Sequence, residues 1–224
     1  MNKDISTQYD NFVSKYIEGT LLYNDFSKGV FYSILENLGG KKLLDVGCGD
    51  GSDLVQYNSM EAICYGIDAS SKLVELAKSR FPFLEITCGL MEQLPYVDNY
   101  FDVVVSKYVL QSSNNLPQAL KEMARVLRPG GVMAYLTVHP IRQFLEKNKH
   151  PKDYFISEIV ESKFFGGSVS ALEPTHTLEE YLNLDFLREF RIDHFEERPD
   201  FPSSLHIDGD TYPCFFILKA EKIS

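Results

Sequence analysis

The fold turns on the stretch Leu43-Leu44-Asp45-Val46-Gly47-Cys48-Gly49-Asp50-Gly51-Ser52-Asp53. An apolar run closes on an acid, and three glycines then occupy alternate positions. The pattern predicts a buried strand, a tight turn and the start of a helix. Glycine is required where φ must be positive, or where a ligand comes too close for a Cβ. A turn of this kind, at the carboxyl end of the first parallel strand, is where open α/β sheets bind nucleotides.

The spacing narrows the ligand. A pyrophosphate binder usually spaces its glycines G-x-G-x-x-G, and here the third glycine comes one residue early. Asp45 and Asp50 would repel a pyrophosphate, whereas a cationic ligand tolerates or attracts them. S-adenosylmethionine carries a ribose, an adenine, a sulfonium and an ammonium but no phosphate, and so suits this loop better than NAD does. Asp68 lies 21 residues after Gly47, at the end of a second predicted strand over 62–68. An acid at that point accepts both ribose hydroxyls. A plainer role for it is to cap the helix that starts at Ser70-Ser71.

At 224 residues the chain fits one domain, 1–224. Apolar residues make up 44% and aromatics 13%, enough for a sizeable core. The net charge of −10 argues against a nucleic-acid partner, which usually presents a basic stripe. Cys48, Cys64, Cys88 and Cys214 form no C-x-x-C pair, so neither zinc nor a disulfide framework is expected, and no metal. The amino terminus is polar and no apolar run reaches spanning length, which points to a cytoplasmic protein without a membrane segment.

Along the chain, residues 6–37 predict two helices, ended by Gly39-Gly40, which together would form an N-terminal cap over 1–38. Strands are expected at 43–46, 62–68, 84–88, 101–106 and 132–138. Helices are expected at 52–59, from Ser70 or Ser71, and from Pro117 to Leu127. Phe101 to Ser106 is the β-branched run of a strand buried on both faces. The alternation breaks at 139–176, a segment with the composition of an insertion over the site. Thr177 caps a helix to Arg188, with Glu180 as its capping-box partner. Further strands follow at 190–196 and 212–220. The fold class is α/β, a Rossmann-like, mostly parallel sheet of seven strands with helices on both faces.

Four segments in order, LLDVGCGDG, GIDAS, EQLPYVDNYFDVVVS and RVLRPGG, cover about residues 40–138. In these the chain resembles a class I S-adenosylmethionine-dependent methyltransferase of the methyltransferase type 11, or ubiquinone-methyltransferase-like, group. The resemblance implies a last strand that runs antiparallel, inserted between the fifth and sixth. It implies that Asp45, Gly47, Cys48, Gly49 and Gly51 hold the methionine moiety and that Asp68 holds the ribose, with Ala69 against the adenine. Where the family commonly reads G-D-A-E-x-L-P, this chain reads Gly89-Leu90-Met91-Glu92-Gln93-Leu94-Pro95. Leu90 therefore replaces an acid, and the backbone of Met91 and Glu92 remains to meet the base. Ser106 would present its carbonyl to the ligand's amino group. RVLRPGG reads as a helix stop and strand start. In relatives that methylate small molecules an N-terminal helix often supplies Tyr, which points to Tyr9 and Tyr16, although a core stripe would look the same.

Methyl transfer from so activated a donor asks mainly for positioning and exclusion of water. A base is needed only if the acceptor must lose a proton. His139, directly after the fifth strand, and His176, before the helix cap at Thr177, are the candidates. Each also has a bland role, in a chain turn before Pro140 and beside a helix cap. The leading expectation is a methyltransferase for a small-molecule O, N or C acceptor, releasing S-adenosylhomocysteine and acting as a monomer or homodimer. The alternatives are an RNA or protein methyltransferase, and a non-catalytic S-adenosylmethionine-binding protein.

Overall fold

The computed structural model describes residues 5–22, 26–199 and 211–223. Its main sheet contains β1 (Lys42–Val46), β2 (Ile63–Asp68), β3 (Glu85–Cys88), β4 (Phe101–Lys107), β5 (Leu127–Val138), β8 (Phe190–Arg198) and β9 (Phe215–Lys222). The order is β3-β2-β1-β4-β5-β9-β8. The first five strands pair in parallel. β9 runs antiparallel to both β5 and β8, as the resemblance implies. The helices between the strands are α4 (Ser52–Ser59), α5 (Ser71–Arg80) and α6 (Leu116–Val126).

The β-branched run of β4 explains its central place. Val103 and Val105 join an apolar cluster with Leu43, Leu54, Tyr57, Val74 and Ile217. Phe101 and Val104 join the other cluster, with Leu44, Met123, Tyr135 and Phe216. Val103, Val104 and Val105 thus alternate between opposite faces, a register shift between Phe101 and Val103 puts Phe101 on the side of Val104, and each large apolar group so buried contributes about 1.5–3 kcal/mol. α6 lays Leu116, Ala119, Leu120 and Met123 on the sheet. The Asn115 side chain accepts from Gln118 N at its start. Lys222 Nζ donates to the carbonyls of Ala124 and Leu127 at its end, a cation where the helix dipole favours one.

RVLRPGG has a structural job. Arg125 donates to the carbonyls of Leu94 and Tyr96 and pairs with Glu122 and Asp98, pinning the 94–98 loop to α6. Arg128 pairs with Asp102, which also accepts from Lys42 N.

Several boundaries differ from the sequence expectation. Among the described residues of the first 37 there are three helices, α1 (Ile5–Asp10), α2 (Val13–Leu22) and α3 (Phe26–Ser33), the last stopping short of Gly39. Asn37 takes a left-handed φ of 54°, which its short polar side chain tolerates. The helix expected over 177–188 is broken into α8 (Leu178–Tyr181) and α9 (Leu184–Glu189). Its capping box at Thr177 and Glu180 is present, but Asn183 then accepts from Phe186 N and starts a second helix. Residues 139–176 contain α7 (Pro140–Glu146) and an antiparallel hairpin of β6 (Ile159–Phe164) and β7 (Val169–Pro174). The last strand starts at Phe215 instead of 212.

Candidate functional site

The glycine turn leaves β1 and enters α4 through Gly47, Gly49 and Gly51, all with positive φ. Gly47 and Cys48 donate to the Ile67 carbonyl, tying the turn to β2. Gly47 is the most constrained: φ is +82°, and a Cβ there would lie 2.2 Å from Val109 Cγ2. Val109 is pressed onto the turn because Tyr108 before it holds a left-handed φ of 55°, an uncommon state for an aromatic residue. Cys48 is buried beside Gly66, whose missing Cβ leaves room for its sulfur. Ser106 is fully buried, and its hydroxyl donates to the Val46 carbonyl, joining the ends of β4 and β1 beside the turn.

Asp68 closes β2 as expected. Its two oxygens accept from Gly49 N at 2.9 Å and Ser70 N at 2.8 Å. Burial raises its pKa, against the pull of those two amides. The carboxylate is therefore oriented by backbone, with lone pairs left over for hydroxyls. Ala69 follows at the mouth of α5, half-buried.

The other acids divide. Asp50 is paired with Arg80 from the end of α5, so it does not face a ligand as a bare charge, contrary to the reading of the turn as two free acids. Asp45 is buried beside Asp53 and Lys107. Burial, reinforced by Asp53 and Asp68, pushes its pKa up to about 8. Burial works against Asp53 too, yet Lys107 and the Tyr32 hydroxyl outweigh it and hold that carboxylate below its ordinary range. This Tyr32–Asp53–Lys107 group was missed by sequence reasoning, since its members come from α3, α4 and β4. Arg80 and Lys107, which pair with these acids, are each committed to an aspartate. The arrangement fits a ribose-bearing cation and not a phosphate.

α1 lies across this edge. Asp10 accepts from the Ser70 hydroxyl at 2.6 Å and from Lys72 N at 3.2 Å. Gln8 exchanges both amide hydrogen bonds with Leu172 of β7. Tyr9, between them, is half-buried and packs on Phe12. Tyr16 lies on α2, and its side chain is outside the described residues. On the other side Met91 packs partly buried against the core, and Glu92 accepts from the Ser113 hydroxyl. Leu90 is exposed.

Both histidines are buried at the carboxyl edge. His139 caps α7: Nδ1 accepts from Ile141 N at 3.0 Å, and Nε2 meets Glu197 at 2.8 Å. Both ring nitrogens are thus engaged, and burial lowers the pKa against the pull of Glu197. His176 is different: Nδ1 lies 3.4 Å from Glu180 Oε1, and Nε2 is buried with no partner among the described residues. It touches Gln143 and Tyr181, which connect through Gln111 and Thr137 to Glu173, all fully buried. Thr137 Oγ1 lies 3.1 Å from Gln111 Oε1 and 3.3 Å from the Tyr181 hydroxyl. Gln143 donates to the Pro174 carbonyl and accepts from His176 N. Glu173 Oε1 meets Gln111 Nε2 at 3.4 Å, while Oε2 has no partner among the described residues. A buried acceptor left unmade costs about 1–3 kcal/mol, so two in one cluster stand out. Glu173 carried no motif signal; its neighbours are far away in sequence.

Among the described residues no cluster of metal ligands is found, Cys48, Cys64, Cys88 and Cys214 form no disulfide, and no helix is long and apolar enough to cross a membrane.

Residues 44–135 match the methyltransferase domain family. Over 108 residues the chain is 35% identical to the phthiotriol/phenolphthiotriol dimycocerosates methyltransferase of Mycobacterium leprae, covering 46% of this chain and 40% of that protein. It is 34% identical over 108 residues to the malonyl-[acyl-carrier protein] O-methyltransferase of Pseudescherichia vulneris, covering 47% and 43%. The chain thus spans less than half the length of either curated relative. An S-adenosylmethionine-dependent methyltransferase of Mesorhizobium loti shares the fold with a TM-score of 0.69 at 21% identity, over 87% of this chain and 96% of that one. Residues 44–135 thus match a methyltransferase domain, the fold is one that S-adenosylmethionine-dependent methyltransferases share, and together these findings indicate S-adenosylmethionine as the cofactor.

Proposed function

We propose that the protein transfers a methyl group from S-adenosylmethionine to a small-molecule O, N or C acceptor. The observation that carries this is Asp68, aimed by the amides of Gly49 and Ser70 beside a glycine turn backed by the buried Asp45. Asp68 would hold the ribose hydroxyls and Ala69 the adenine face. The turn from Gly47 through Cys48 and Gly49 to Gly51, with Asp45, would take the methionine end, and the Ser106 carbonyl its amino group. Met91 and Glu92 would border the base, and Tyr9 and Tyr16 would face the ligand from the N-terminal cap. When bound, the cofactor supplies a methyl group already activated on a sulfonium, so positioning and exclusion of water are the protein's main tasks.

The segment 139–176 would form the acceptor side. Of the two histidines, His176 has the free nitrogen that a proton transfer needs, and His139 would position the start of α7. The curated relatives are named for phthiotriol/phenolphthiotriol dimycocerosates and for malonyl-[acyl-carrier protein], which supports an acceptor that is not a nucleic acid. The net charge of −10 supports the same reading. A cytoplasmic monomer or homodimer fits these features.

Calorimetry with S-adenosylhomocysteine and S-adenosylmethionine tests the first part, and release of S-adenosylhomocysteine across a panel of acceptors tests the second. Absence of binding by either nucleoside at millimolar concentration sinks the proposal. Binding without turnover on any acceptor favours a non-catalytic S-adenosylmethionine-binding protein.

A further inference from the structure

We propose that Glu173 is a catalytic base for an acceptor whose nucleophile is a hydroxyl or an amine, with His176 as a second hydrogen-bond acceptor for the same ligand. This rests on the methyltransferase reading and names the acceptor class for that site.

Two orphaned atoms carry the inference. Glu173 Oε2 and His176 Nε2 are buried, three residues apart in the chain, and neither has a partner among the described residues. Their other contacts frame what each can bind. Nδ1 of His176 faces the Glu180 carboxylate, which this contact holds below its ordinary range. Nδ1 carries a hydrogen toward Glu180, and in the neutral ring Nε2 then holds a lone pair. Glu173 Oε1 receives the Gln111 amide. The Ser162 hydroxyl, which donates to Glu146 Oε2, also acts on the Glu173 carboxyl, but Oε2 makes no hydrogen bond of its own among the described residues. A ligand O–H or N–H completes the ionised state, and His176 Nε2 asks for a second donor.

A carboxylate acceptor offers no such hydrogen and brings a like charge. A carbon nucleophile offers at best a weak donor. Hydroxyls and amines remain.

The location suits a base. Gln111 sits just beyond the turn that presses Val109 onto Gly47, and Thr137 is the penultimate residue of β5, so the cluster adjoins the cofactor loop. The groups facing Glu173 are Glu146 and Arg142 of α7, Ser162 of β6, Gln111, and Tyr181 of α8. Burial, with Glu146 adding to it and Ser162, Gln111 and Arg142 opposing, pushes the Glu173 carboxyl up to about 7. A base there is matched to neutral pH.

The step balances. The acceptor oxygen or nitrogen uses its lone pair to bond the methyl carbon, and the carbon–sulfur bond breaks with its electron pair remaining on sulfur. The O–H or N–H proton passes to Glu173 Oε2. The sulfonium and carboxylate charges vanish together, so no further reactant is required.

The test uses the protein saturated with S-adenosylhomocysteine and three probes that differ in their polar group: phenol, benzylamine and benzoate. The readout is the carboxyl carbon signal of Glu173 in 13C-glutamate-labelled protein, assigned by its loss in Glu173→Gln, or in Glu173→Asp if the first variant does not fold. The signal should titrate near pH 7, and millimolar phenol or benzylamine should move it while benzoate does not. A signal indifferent to phenol and benzylamine, or moved by benzoate alone, overturns the proposal. On a phenol or amine that is methylated, Glu173→Gln should lower kcat about 10²–10⁴-fold with KM little changed, and remove the limb of the pH profile near neutrality; Glu173→Asp should recover part of the rate. An unchanged kcat also overturns it. Calorimetry of S-adenosylhomocysteine is the separate arm: no binding to the wild type sinks the methyltransferase reading, whereas intact binding with an indifferent Glu173 sinks this inference alone.

Discussion

Replacing Asp45 with Asn should abolish most of the proton release that accompanies S-adenosylmethionine binding near neutral pH. Asp45 is buried beside Asp53, and its pKa is pushed up to about 8. At pH 7 it therefore holds about 0.9 of a proton in the free protein. A cation arriving beside it favours the ionised form and expels that proton. Affinity in the wild type should then rise about ninefold between pH 6 and pH 7, because only the ionised fraction is ready to bind. In Asp45→Asn this component is missing. The assay is calorimetry in buffers of different ionisation enthalpy at pH 7; the slope of observed heat against buffer enthalpy counts protons. The wild type and the variant should differ by about 0.9 proton. Equal slopes, or a wild-type slope of zero, would refute the placement of Asp45 beside the cofactor's cationic end. The same shift has a consequence for the free protein. The folded state keeps a proton that the unfolded chain releases above about pH 4, so Asp45 makes stability fall as pH rises from there through about 8.

Other outcomes follow from single contacts. Asp68→Asn keeps the shape but loses the charge, and should weaken S-adenosylhomocysteine by about 1.5–3 kcal/mol, seen by calorimetry; unchanged affinity would remove Asp68 from the ribose. Gly47→Ala meets Val109 and a φ of +82°, so it should lower the melting temperature and cost at least about 1–3 kcal/mol. Adding Val109→Ala should relieve the clash but not the backbone strain; full recovery would show that φ does not matter there. His139→Ala removes a helix cap and a pairing with Glu197, and should cost about 1 kcal/mol of stability with S-adenosylhomocysteine affinity intact. Because burial lowers the His139 pKa, its contribution is present above the unfolded value and is lost as pH falls through the folded one, which acid unfolding of the two proteins would detect.

The cofactor half of the site was legible because its constraints are local. Positive φ at three alternate positions leaves little but glycine, and an acid ending the next parallel strand has few places to go. The burial of β4 on both faces followed from its unbroken β-branched run. The direction of β9 did not, since an apolar strand reads the same both ways; the resemblance supplied it. Asn183 could not be told from an exposed helix residue, and its side chain splits the helix expected there. Asp50 was misjudged for a different reason: Arg80, which neutralises it, lies at the far end of the next helix but one turn of the chain away in space. The same distance in sequence hides the acceptor side. Gln111 and Glu173 meet across 62 residues, with no repeat or motif announcing it.

The place of β9 also shapes how the chain comes to be folded. β5 and β8 are neighbours of β9 on either side, and they are made before it. Until β9 emerges during synthesis, β5 has a bare edge of unpaired amides and carbonyls, and β8 has no place in the sheet. The nascent chain can assemble β1 to β5 and their helices early, but the second half of the sheet must wait for its last strand. Shortened chains lacking 215–222 should therefore be caught by chaperones or aggregate through the β5 edge, even though every residue assigned to the cofactor is already present.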